Sequence, residues 1–127
     1  LLKDMDHGCL YFKEGPLMAS MDKFTIKVFG KGGHGANPQD TIDPIVISAE
    51  IILAVQKIIS REIAPTSAAL VSICQLNAGS SQNIIPNEVT MVGTARTLNE
   101  DDRDLVERRL GEIARGIAKT HGGDAEL

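Results

Sequence analysis

The sequence predicts an α+β fold of the split βαβ, ferredoxin-like kind: a four-stranded antiparallel sheet with two helices on one face. Three observations carry this expectation. A cleanly alternating segment occupies residues 21–29, two capped helical segments follow Asp43 and Asn99, and two further β-rich runs at 67–77 and 88–97 lie between the helices. With a fourth strand opening at Asp124, the order reads strand, helix, strand, strand, helix, strand.

In residues 21–29, Phe24, Ile26 and Val28 face one way and Lys23, Thr25 and Lys27 the other, the pattern of a half-buried strand. Asp43 then suits an N-cap and Pro44 the first helical turn, where its missing N–H costs nothing. The helix, 44–60, is apolar around most of its circumference: Ile45, Val46, Ala49, Ile52 and Leu53 as well as Ile47, Ile51, Val55 and Ile58. Such a helix expects burial on two sides, and a small domain has little left to cover the second, which falls to a partner helix or to a loop of its own chain. Strand 67–77 is rich in Leu70, Val71, Ile73 and Leu76, and Ala78-Gly79-Ser80-Ser81 breaks it. Strand 88–97 follows a Pro86-Asn87 turn, with Val89, Met91, Gly93 and Ala95 on one face and Thr90, Val92, Thr94 and Arg96 on the other, and is expected to pair with 67–77. Asn99 caps the second helix, Glu100, Asp101 and Asp102 complement its positive end, and Val106, Leu110, Ile113 and Ile117 mark a single apolar stripe. That helix stops near His121 and Gly122-Gly123. In this topology strand 67–77 lies at an edge beneath the first helix. Helix 44–60 and strand 67–77 therefore offer one contiguous surface to a symmetric partner, a homodimer.

The chain has 127 residues, 43% apolar and 24% charged, with a net charge of −4, and fits one globular domain. No Lys/Arg cluster marks a nucleic-acid footprint. The longest greasy stretch, 42–59, is interrupted by Asp43, Pro44, Ser48, Glu50, Gln56 and Lys57 and is no membrane span. Cys9 and Cys74 stand in no CxxC or Cys/His spacing, so a reducing cytoplasm is the expected compartment. The first residue is Leu rather than Met, and Asp124 to Leu127 reads as the first half of a strand. The expected organisation is a connector at 1–14 from a missing catalytic domain, then a domain at 15–127 with its last strand truncated.

Gly30-Lys-Gly-Gly-His-Gly-Ala-Asn-Pro38 places one imidazole, His34, in a backbone too glycine-rich to exist for packing, a loop shaped for close approach. Gly30-x-Gly32-x-x-Gly35 satisfies a dinucleotide fingerprint, but no helix opens at its third glycine and no acidic residue ends the next strand. No Gly-Lys-Ser/Thr supplies a Walker loop, and no nucleophile elbow or reactive-cysteine context accompanies His34. Asp4, Asp6 and His7 read as a solvated linker rather than a metal site, and His121 as a helix-terminal residue. On residues alone, His34 is a catalytic imidazole or a hydrogen-bonded loop residue, Asn83 a ligand contact or a turn former, and Arg96 a carboxylate binder or a salt-bridge partner.

Gly15-Pro16-Leu17-Met18-Ala19-Ser20, Gly30-Lys-Gly-Gly-His-Gly35, Asp43-Pro44, Asn83-Ile-Ile-Pro86 and Gly93-Thr-Ala-Arg-Thr97, in this order, resemble the lid or dimerisation domain of metal-dependent amidohydrolases that include aminoacylase and carboxypeptidase G. The branch most similar contains hippurate hydrolase and the auxin-amino acid conjugate hydrolases. The resemblance implies an insert within a larger catalytic domain, paired with its twin through helix 44–60 and strand 67–77. It implies two divalent metal ions, zinc or manganese, in the missing catalytic domain, and none in this segment. It further implies that His34 reaches across the dimer to the developing oxyanion of a small N-acyl amino acid, that Asn83 contacts substrate across the same interface, and that Arg96 lies on a strand facing the cleft. This segment alone is expected to be inactive. The competing expectations are a free-standing ferredoxin-like dimer module that binds a small molecule, and a structural dimerisation domain in which His34 is inert.

Overall fold

The computed structural model describes residues 7–12 and 14–127. β1 (Asp22–Phe29) turns Ile26 and Val28 into the core, both fully buried, and leaves Lys23 and Lys27 exposed. The two-residue β2 (Gly33–His34) lies in the glycine segment, followed by α1 (Pro44–Lys57). Asp43 Oδ1 accepts from the amides of Ile45 at 2.8 Å and Val46 at 3.4 Å, the cap expected from sequence.

Helix 44–60 was expected to run evenly to its end, but α1 gives way at Ile58 to a π-helical turn closed by the Ile63 N–H donating to the Ile58 carbonyl at 3.1 Å. The wider turn lets Ile58 and Ile63, five residues apart, both reach the core. It also hands Glu62 to the second helix, where Arg109 grips it through Nε at 2.6 Å and Nη2 at 3.0 Å.

β3 (Ala69–Ala78), the two-residue β4 (Ile84–Ile85) and β5 (Glu88–Thr97) follow, then α2 (Glu100–Thr120) and β6 (Asp124–Glu126). The main sheet has the order β3-β5-β1-β6 and is antiparallel throughout, with α1 and α2 packed on one face. β3 is an edge strand, as its place in the split βαβ order requires. Its register on β5 steps over Cys74 between Ile73 and Gln75. Asn99 caps α2 by accepting from the Asp102 amide at 2.8 Å, and Val106, Leu110, Ile113, Ala114 and Ala118 are its buried stripe. Across the helix pair, His121 Nε2 lies 3.0 Å from Glu50 Oε1.

α1 buries Ile47, Ile51 and Val55 against the sheet, while Ile45, Val46, Ala49 and Leu53 remain exposed, Leu53 at 75%. Among the described residues, nothing covers the second apolar side read in the sequence. Leu76 continues this surface onto β3: it is the cross-strand partner of the buried Met91, so it shares the helix side of the sheet, yet it stays 45% exposed. No helix among the described residues is long and apolar enough to cross a membrane.

Candidate functional site

The glycine segment is not an open loop. Gly30 N–H donates to the Asn87 carbonyl at 2.8 Å, Lys31 exchanges both backbone bonds with Ile42, and Gly32 N–H donates to Asn87 Oδ1 at 2.9 Å. β2 then pairs antiparallel with β4, Gly33 opposite Ile85 and His34 opposite Ile84, and Gly35 N–H donates to the Asn83 carbonyl at 2.9 Å. The chain on either side, at 42 and at 83–87, thus clamps the segment. None of its glycines has positive φ; contact is what selects them. A Cβ on Gly32 would stand 2.5 Å from the Ile85 carbonyl oxygen, and one on Gly30 would strike the Ile42 carbonyl.

His34 and Asn83, 49 residues apart in sequence, are brought to one small ribbon. His34 is exposed, and its Nδ1 accepts from the Ala36 amide at 3.0 Å. A nitrogen that accepts carries no proton, so the neutral ring holds its hydrogen on Nε2. Asn83 Oδ1 accepts from the Ser81 hydroxyl at 2.7 Å, leaving its Nδ2 as the other end of the amide. Among the described residues nothing engages His34 Nε2 or Asn83 Nδ2. The ribbon therefore presents two hydrogen-bond donors to solvent.

Arg96 is not part of this ribbon. It stands on the helix-free face of β5, next to Leu70 of β3, with Nη2 3.5 Å from Met21 Sδ. Register puts Glu88 opposite Phe29 at the ribbon end and Ala95 opposite Asp22 at the other. Ten residues of strand span roughly 30 Å, so one chain's Arg96 and His34 lie at opposite ends of the sheet.

His121 spends its ring on Glu50, and Asp4 and Asp6 lie outside the described residues. No three His, Cys, Asp or Glu side chains among the described residues gather to hold a metal ion. A cleft of about 400 Å³ opens between β1 and α2, lined by Phe24, Val106 and Leu110 with the Asp22–Arg103 ion pair at its rim, and includes none of His34, Asn83 and Arg96. Sequence reasoning passed over Ser81, Ala36 and Asn87, which hold the two donors in place. The Ser81-x-Asn83 spacing was the available signal, since it sets two short polar side chains within reach of each other in one turn.

The sequence profile described as the peptidase dimerisation domain, of the M20 peptidases, matches residues 20–122. The chain belongs to this family. The match takes in both helices and five of the six strands, together with His34, Asn83 and Arg96. This dimerisation domain is 43% identical over 98% of its length to an N-acetylcysteine deacetylase of Bacillus subtilis, and 41% identical over 87% to a hippurate hydrolase of Campylobacter jejuni. It spans 33% and 29% of those two proteins, about a third of each. Among solved structures, a Bacillus subtilis protein described as a dinuclear metal binding peptidase superposes with a TM-score of 0.70 at 38% identity, over 91% of this chain and 26% of that one.

Proposed function

We propose that this domain is the lid of a metal-dependent N-acyl-amino-acid amidohydrolase, in which His34 donates from Nε2 to the oxyanion that forms when water attacks the amide. Asn83 and Arg96 are the substrate contacts in this reading. The observation that carries it is the ribbon itself: an imidazole fixed as an Nε2 donor beside a carboxamide donor, on a domain whose relatives are named for amide hydrolysis. A donor aimed at charge present only in the transition state is worth roughly 3 kcal/mol.

The two divalent ions, zinc or manganese, belong in this reading to the catalytic domain of the same polypeptide, supported by the similar protein described as a dinuclear metal binding peptidase. When bound they polarise the amide carbonyl and activate water. This chain's part is to orient the substrate and to meet the developing charge.

The second copy pairs through helix 44–60 and strand 67–77, supported by the exposed stripe of Ile45, Val46 and Leu53 beside the open edge of β3. Joining two β3 edges about a two-fold axis perpendicular to the sheet reverses the ends of the partner's sheet. Arg96 of one chain then lies toward the same end as the partner's His34 ribbon. Each composite site takes Arg96 from one lid and His34 with Asn83 from the other. Cys9 and Cys74, both exposed and unpaired, fit a reducing cytoplasm.

In the full-length polypeptide, His34→Ala is expected to lower kcat on an N-acyl amino acid about 100-fold while KM stays within about twofold. An undiminished kcat would sink the catalytic role.

A further inference from the structure

The ribbon contains a polar group for which the proposed chemistry has no use. Ser81 Oγ lies 2.7 Å from Asn83 Oδ1 and 3.5 Å from Gln82 Oε1. A hydroxyl has one proton to give, and at these distances it goes to Asn83. The amide oxygen is the end that faces Ser81, at a separation usual for an O–H···O bond.

An exposed carboxamide can turn over and offer either its oxygen or its NH2 group outward. The backbone of Asn83 is already tied to the histidine segment through its carbonyl, which accepts from Gly35 N–H. The amide can still turn, and among the described residues the bond to Ser81 is the contact that favours the oxygen-inward orientation. We infer that Ser81 is a positioning residue, which holds Asn83 Oδ1 so that Nδ2 is presented as a donor beside His34. The ribbon then meets substrate with two donors and discriminates in favour of oxygen acceptors. This inference rests on the reading of Asn83 as a substrate contact.

The test is steady-state kinetics of the full-length polypeptide on an N-acyl amino acid, with folding checked by circular dichroism. Ser81→Ala is expected to lower kcat/KM about fivefold to tenfold, the range of one neutral hydrogen bond. The loss should fall on the same one of kcat and KM that Asn83→Ala changes. Ser81→Thr, which keeps the hydroxyl, should restore the parameters, and Ser81→Ala added to Asn83→Ala should cost nothing further. An equal loss from Ser81→Ala in both backgrounds, or an unaltered Ser81→Ala beside an impaired Asn83→Ala, overturns the positioning role alone. An Asn83→Ala variant as active as the parent overturns the underlying contact, and the positioning role with it.

Discussion

The amide of Ala36 donates to Nδ1 of His34 at 3.0 Å, from two residues further along the same turn. The bond assigns the tautomer without a neighbouring carboxylate: Nδ1 is the acceptor and Nε2 the donor. Long-range 1H–15N correlation spectra of the chain, at a pH where the ring is neutral, are expected to show an unprotonated Nδ1 and a protonated Nε2. A ring protonated on Nδ1 would remove the basis for an Nε2 donor.

Leu53 lies on the exposed stripe of α1, so its replacement leaves the core of one chain untouched. In a two-fold pair it is buried twice, at about 2 kcal/mol each, and Leu53→Lys should weaken the full-length dimer about 1000-fold. Sedimentation equilibrium reads the change. A variant as dimeric as its parent would place the interface elsewhere.

Glu62 ties the π-helical turn to α2, and the Arg109 guanidinium hydrogen-bonded to it holds its carboxyl below the usual 4.5. A carboxylate whose folded value is depressed contributes stability above its unfolded value and loses it as pH falls through the folded one. Glu62→Gln is therefore expected to lower Tm at about pH 7, with the difference closing as pH drops below 4.5. A Tm difference that persists unchanged to about pH 3 would show that the ion pair is not its source.

Burial decided which parts of the molecule could be read in advance. Residues 21–29 alternate because one face meets α1 and α2, and Asp43 and Asn99 are legible as caps because capping is a local bond within three residues. The second apolar face of α1 was legible for the same reason, since among the described residues nothing covers Leu53. The β2–β4 ribbon was not, because two-residue strands carry no period and its glycines answer to Ile42 and Ile85 carbonyls, the latter some fifty residues away. The π-helical turn was hidden because Ile47, Ile51, Val55 and Ile58 recur at regular helical spacing, while the wider turn falls on Ser60-Arg61-Glu62, which carry no apolar period. His34, Asn83 and Arg96 could be named from motifs, but their distribution between the two ends of the sheet follows from the β1–β5 register, to which motif order is blind.

In the proposed dimer each site is shared, with His34 from one lid and Arg96 from the other. This sharing is tested most directly by mixing two full-length variants, His34→Ala and Arg96→Ala, each impaired alone, under conditions that exchange subunits. Recovered turnover is expected, because the mixed dimer contains one site with both residues intact and one with neither. If His34 and Arg96 act in the same site from the same chain, every site in the mixed dimer lacks one of them, and a mixture no more active than its components would rule out a shared site.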